Sequence, residues 1–235
     1  MSDDGQTPFD FVRVGRAVNV QLIAGRGHYE AVVQAAMAAE QSIWIATANL
    51  KELMVEAPAF SRKKRGYRSI LEVFDGLVGK QVEIRILHAG LPSRPFREEL
   101  RRWPRLRRAL VLRACPRVHL KAVVVDGGLV YLGSANWTGA GLGAKGTGRR
   151  NFELGMVTRD DGVIDEVQAL YDRIWRGAAC AGCRLRAECP DPLDGLGQGP
   201  AAATAAAPAP GRKTRSHRRA AASPRTPARR RSARR

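Results

Sequence analysis

The sequence predicts an α/β domain, a sheet layered with helices, and three observations predict it. Segments that alternate apolar and polar residues, as strands do, take turns with segments whose apolar residues recur at helical spacing. Repeated β-α-β order of this kind builds an α/β sandwich. Hydrophobic residues make up 44% of the 235, enough for a domain with its own core.

Taken in order, AVNVQLIA (17–24) alternates as a strand, HYEAVVQAAMAAEQ (28–41) has helical spacing, and SIWIATANL (42–50) reads as strand again. A basic loop with Arg62, Lys63, Lys64 and Arg65 follows. SILEVFDGLVGK (69–80) reads as helix and VEIRILHA (82–89) as strand. Residues 95–115 begin as a basic helix, break at Pro104 and end in a strand. Residues 117–136 supply two more strands, NFELGMVT (151–158) another, and DGVIDEVQALYDRIW (161–175) a closing helix. No internal repeat is visible.

Charge is unevenly placed. The net charge is +18, of which residues 195–235 contribute eleven Lys or Arg against no acid, leaving +7 for residues 1–194. Both parts favour anionic partners, nucleic acid or an acidic membrane surface. From about Gln198 the chain has almost no large apolar residue, so residues 195–235 are expected to form a disordered basic tail, suited to wrapping phosphate backbones. Residues 1–16 read as a flexible N-terminus, 17–176 as the folded domain, and 177–194 as a cysteine-containing segment. No apolar run approaches the roughly 20 residues of a spanning helix, and the N-terminus lacks a signal pattern. The expectation is a cytoplasmic protein, whose four cysteines then suggest metal or free thiols rather than disulfides.

The stretch RVHLKAVVVDGGLVYLGSANWTG (117–139) carries the chemistry. Strand alternation puts His119, Lys121, Val123 and Val125 on one face. A two-residue Gly127-Gly128 turn would pair Asp126 with Leu129, placing Lys121 opposite Ser134 and His119 opposite Asn136. Four polar heads would then converge. A cation and an amide hold anionic oxygens, and an imidazole can act as nucleophile, base or acid, so the patch suits a phosphate. A three-residue turn would instead send Ser134 and Asn136 to the far face. Asp126, opposite the histidine, should brace the turn.

These residues resemble the signature of the phospholipase D superfamily: His119-x-Lys121, four residues, Asp126, six residues, then Gly133-Ser134-x-Asn136. The resemblance spans roughly residues 17–176. It implies a mixed sheet flanked by helices and a phosphodiesterase that needs no metal for catalysis. It further implies catalytic roles for His119, Lys121, Ser134 and Asn136, with Asp126 and Gly133 structural, and Glu153 as the acid that orients His119.

Enzymes of this family use two such motifs, and this sequence has one. His28 and His88 lack a lysine at the right spacing, and His217 lies in the tail. The resemblance therefore narrows to the single-motif branch and implies a homodimer with a shared active site. Arg97, Arg101, Arg102 and Arg105, with Phe96 and Trp103 interleaved, and the 62–65 loop suit a nucleic-acid backbone with unstacked bases. DNA is the favoured substrate. The alternatives are an anionic phospholipid, or DNA binding without cleavage.

Cys180, Cys183 and Cys189 form a C-x2-C-x5-C run followed by Pro190, with Cys115 the only fourth candidate. The run resembles the cysteine cluster of the iron-sulfur domain in some RecB-type nucleases, which implies a structural iron-sulfur cluster; zinc is the alternative.

Overall fold

The computed structural model describes residues 9–57, 66–189 and 191–195, all within one contact unit, Met1–Ala202. The chain opens with β1 (Gln21–Ala24) and a π-helical turn at Tyr29–Val33 that runs into α1 (Gln34–Met37). Next come β2 (Ser42–Thr47), the short strands β3 (Met54–Glu56) and β4 (Tyr67–Ser69), α2 (Ile70–Val78) and β5 (Glu83–His88). After α3 (Arg94–Leu100), α4 (Pro104–Ala109) and β6 (Val111–Ala114) come β7 (Ala122–Val125) and β8 (Leu129–Gly133). The last elements are β9 (Leu154–Thr158) and α5 (Asp161–Trp175).

Seven strands form one sheet in the order β1-β9-β8-β7-β2-β5-β6, and β3 and β4 make a separate ribbon. The sheet is mixed: β2, β5 and β6 run parallel, joined through helices, while the β7–β2 contact and all pairs beyond it are antiparallel. Helices cover both faces, which explains strands apolar on successive residues such as the fully buried Ala122-Val123-Val124-Val125. Ile43, Ile45, Val123 and Tyr131 pack with Val32 and Val33 and with Leu71 and Phe74 of α2. Ala46, Leu87 and Ala122 pack beneath Tyr171 and Trp175 of α5. Each such side chain removed from water contributes roughly 1.5–3 kcal/mol for the larger aliphatics.

The expected α/β order holds, with local differences. The first strand begins at Gln21 rather than residue 17, because only residues 21–24 find partners on β9. Pro104 starts a new helix at its first turn, where its missing N–H costs nothing. The β3–β4 ribbon was not expected, its strands being three residues each. Arg13 pairs with Glu166 and Arg16 with Asp160, so part of the expected flexible N-terminus is tied to α5. The 62–65 cations and the expected disordered tail, residues 196–235 in particular, lie outside the described residues.

The hairpin turn is a correction. Val125 pairs with Leu129, so three residues, Asp126 to Gly128, close the β7–β8 hairpin instead of two. Asp126 is drawn out of the ladder because the α1–β2 loop claims it. Its N–H donates to Ser42 O, and its carboxylate accepts from the N–H groups of Glu40, Gln41 and Ser42. Asp126 and Gly127 both take positive φ, 53° and 60°, which Asp tolerates better than most residues and Gly adopts freely.

Candidate active site

Val118 is buried among the residues under α5, and Leu120 packs against the same cluster. Alternation turns His119 and Lys121 the other way, onto the face of Val123 and Tyr131. His119 is exposed and Lys121 half-buried, both just ahead of the β7 ladder rather than within it. Lys121 Nζ lies 3.0 Å from Nδ1 and 3.1 Å from Nε2 of His119, and it donates to the His119 carbonyl at 2.8 Å. Burial pulls the Lys121 ammonium below its ordinary range, and the Glu153 carboxylate acts in the opposite direction.

Under the three-residue turn Lys121 faces Gly133, whose N–H donates to Lys121 O at 3.3 Å. Ser134 and Asn136 are therefore not the cross-strand partners expected from the sequence. They do not extend the ladder either, because the chain leaves it after Gly133. Ser134 N–H turns to β9, donating to Leu154 O at 3.0 Å. Asn136 instead crosses the start of β7 and reaches the end of β2. Its Oδ1 accepts from Ala48 N–H at 3.1 Å and Asn49 N–H at 3.0 Å, and Thr47 Oγ1 lies 3.2 Å away, its one hydrogen shared with the closer Asn49 O at 2.8 Å. Thr47 Oγ1 in turn accepts from Trp137 N–H at 2.9 Å. Continuing the β2–β7 register places Lys121 beside Thr47, so Lys121 and Asn136 both stand at the end of β2. That edge is the carboxyl end of parallel strands β2 and β5, where open α/β sheets bind ligands. The two N–H donors on Oδ1 fix the amide plane and leave its two Nδ2 hydrogens for another acceptor.

Glu153 has different partners from those expected. Its Oε2 accepts from Ser134 Oγ and its Oε1 from Asn151 Nδ2 at 3.0 Å; among the described hydrogen bonds none joins it to His119. Because β9 pairs with β8, Glu153 leads into the strand beside Ser134 rather than beside the histidine. Ser134 Oγ also accepts from Leu154 N–H at 3.1 Å, so it links two strands.

Gly133 pairs with Gly155, and both make room for Tyr131. A Cβ at Gly133 would lie 2.7 Å from Gly155 Cα and from Leu154 O. One at Gly155 would run into the Tyr131 ring. Tyr131 Oη accepts from Ala135 N–H at 3.1 Å and thereby aims the segment that carries Asn136. Burial pushes this phenol up to about 12. His28 packs edge-on to Tyr131 with centroids 5.5 Å apart, fully buried. Its Nδ1 lies 3.3 Å from Gly25 O, Nε2 finds no hydrogen-bond partner, and burial holds its pKa down. Thr47 and Tyr131 were not singled out from the sequence, and His28 entered only as a histidine without a lysine at the motif spacing. The strand-end TAN before a turn is the one signal that could have found Thr47.

The basic residues of α3 and α4 are partly engaged. Arg97 donates to Pro92 O at 3.1 Å, Arg102 pairs with Glu99 at 3.0 Å and Arg105 with Asp75 at 3.6 Å; Arg101 is exposed. The interleaved aromatics are not available for stacking on bases. Phe96 is fully buried, and Trp103 packs against the core and donates to Glu99 at 3.0 Å. Helical spacing turned them inward. Ser93 N–H donates to Leu50 O at 2.9 Å, which sets the start of α3 beside the turn that Asn136 caps.

Cys115, Cys180, Cys183 and Cys189 line one small void. All four are free thiols, and burial, followed by the three neighbouring cysteines, pushes Cys115 up. As placed, no group of three or more His, Cys, Asp or Glu among the described residues could hold a metal ion. No helix among them is long and apolar enough to cross a membrane.

The chain is similar to several solved structures. NucT from Helicobacter pylori is 15% identical, with 67% of this chain and 95% of that chain covered and a TM-score of 0.47. Nuc from Salmonella typhimurium, a phospholipase D family member, is 16% identical over 67% of this chain and 95% of that one, also at 0.47. TrmBL2, an archaeal chromatin protein, is 13% identical over 74% of this chain and 55% of that one, at 0.45. No curated protein matches. The family model described as "Cardiolipin synthase, PLD-like domain" matches residues 32–175, more than half of the sequence and all of the motif. The chain belongs to the phospholipase D superfamily.

Proposed function

We propose that this chain is a phosphodiesterase that cleaves DNA without a metal, through a phosphohistidine in a homodimer. One observation carries the proposal: an exposed His119 imidazole in contact with the Lys121 ammonium, at the edge where Asn136 is held by the N–H groups of Ala48 and Asn49. This is the equipment that in-line displacement at phosphorus needs. His119 Nε2 or Nδ1, whichever lacks a proton, attacks phosphorus while the bond from phosphorus to the leaving oxygen breaks. The His119 of a second copy gives that oxygen a proton, then takes one from the water that releases the histidine. One motif per chain makes the second copy necessary, and a twofold contact would bring two histidines, two lysines and two asparagines around one phosphate. Lys121 and Asn136 Nδ2 hold the charge building on the non-bridging oxygens. Ser134 and Glu153 act as positioning residues that tie β8 to β9.

DNA is favoured by the +18 charge and by Arg97, Arg101, Arg102 and Arg105, with Arg62, Lys63, Lys64 and Arg65 adding to it. A second reading, hydrolysis of an anionic phospholipid, has one observation in its favour. Phe152 is wholly exposed, and Leu154 and Leu22 are 56% and 70% exposed. Phe152 and Leu154 line a cavity of about 350 Å³ with Ser134 and Glu153. No sequence pattern signalled such an apolar lip.

The test uses full-length wild type and His119→Ala with chelator present, on plasmid DNA, single-stranded DNA and vesicles of anionic phospholipid. Cleavage of DNA by wild type only supports the proposal. Release of headgroup from vesicles with DNA intact supports the second reading. Retention of DNA without cleavage by either protein reduces the chain to a binding module.

A further inference from the structure

We propose that Cys115, Cys180, Cys183 and Cys189 form a four-thiolate zinc site that fastens the C-terminal segment to the loop leading into His119. The run C-x2-C-x5-C alone supplies three thiols from one loop, and the fold supplies the fourth from a different element, since Cys115 directly follows β6. All four meet at one small void together with Arg117 and Arg186. Three thiols near in sequence are common. A fourth, sixty-five residues away from the nearest of them in the chain and at the same void, is what a tetrahedral four-cysteine site requires.

The void holds about 20 Å³. That is the room of a single ion or water, which needs roughly 10–15 Å³. Four thiolates with no further ligand make a closed tetrahedral set, which suits zinc, and the iron-sulfur cluster that the cysteine spacing suggests is an outcome of the test below. The thiols do not yet stand at ligand spacing, so binding draws them together by side-chain rotation. The backbone permits this, for Cys180, Cys183, Arg186 and Cys189 follow one another in turns: Cys183 N–H donates to Cys180 O, Arg186 N–H to Cys183 O, and Cys189 N–H to Arg186 O. Four thiolates around a divalent ion leave two negative charges. Arg117 and Arg186 at the rim offset them.

The surroundings are already docked without a metal. Arg113 donates to Trp175 O and, at 3.2 Å, to Leu193 O, and Arg186 pairs with Asp194 at 2.6 Å. Leu193 is buried with Val118 and Trp175. The ion would therefore tighten an existing contact. Its effect reaches the catalytic segment because Cys115 and Val118 share a turn, Val118 N–H donating to Cys115 O at 2.9 Å, one residue ahead of His119.

The test is metal analysis of the full-length chain isolated without chelator from cells supplied with zinc and iron, with colorimetric titration of native thiols. The expected result is about one zinc per chain, four thiols that react only after the metal is stripped, and zinc affinity lowered roughly a hundredfold in Cys115→Ser. Iron with broad visible absorption would overturn the zinc assignment. A wild type that neither carries nor accepts zinc after reduction would overturn the site. So would a Cys115→Ser chain that binds as tightly as wild type. Should the variant fail to fold, cobalt(II) loading of wild type decides: absorption of tetrahedral cobalt with four sulfur ligands supports the site, and octahedral cobalt spectra refute it.

Discussion

Lys121 Nζ touches both ring nitrogens of His119, at 3.0 and 3.1 Å. Burial lowers the Lys121 pKa. Its charged form is present at low pH and lost as pH rises through that lowered value. Activity should therefore decline on the alkaline side, starting below the usual lysine range. Lys121→Met should reduce the rate by about 10²–10³, and any residual activity should lack the alkaline limb. A pH–rate profile of the two proteins checks both points.

Asn136 separates folding from catalysis. In Asn136→Ala, the N–H groups of Ala48 and Asn49 lose their acceptor, while Thr47 Oγ1 keeps Asn49 O at 2.8 Å, so the loss should cost roughly 1–3 kcal/mol in denaturant unfolding. Asn136→Asp keeps the acceptor and should unfold within about 1 kcal/mol of wild type. It nevertheless replaces an amide donor by a negative charge, and should lose about 10²-fold or more in rate.

Gly155→Ala should destabilise the chain by about 1–3 kcal/mol or more, because the new methyl meets the Tyr131 ring inside a packed sheet. Gly155→Ala combined with Tyr131→Phe should recover little, since the ring rather than the hydroxyl is in the way. Thermal melts of the two variants measure this.

Asp126 should matter to stability in acid and not to the chemistry. Burial raises its pKa, but the three backbone donors at Ser42, Glu40 and Gln41 outweigh that and leave it lowered. A lowered carboxylate pKa stabilises the fold above the unfolded value, and that contribution is lost as pH falls through the folded one, from about pH 4 downward. Asp126→Asn should melt lower than wild type at pH 7, and the gap should close as the pH drops below about 4. The rate per folded chain should be unchanged.

The order of strands and helices was legible because strand alternation and helical spacing are local, and α5 at Asp161–Trp175 falls where its apolar spacing puts it. The motif residues were legible as a set, through their spacing. Their geometry was not. Whether the turn takes two residues or three depends on whether Asp126 is claimed by Ser42, 84 residues away, which no local pattern records. The same holds for Asn136, placed by Thr47 and Asn49 across two strands, and for Glu153, held by Ser134. Phe96 was misread for a simpler reason: a basic helix has an inner face too.

If the His119 imidazole attacks phosphorus, a covalent intermediate forms on it and can be trapped. Full-length protein would be mixed with a DNA oligonucleotide and chelator, quenched in alkali and digested for mass spectrometry. The expected result is a phosphate-linked adduct on the peptide bearing His119, absent from His119→Ala, with cleavage lost in that variant. Undiminished cleavage by His119→Ala, or an adduct on any other residue, would contradict it.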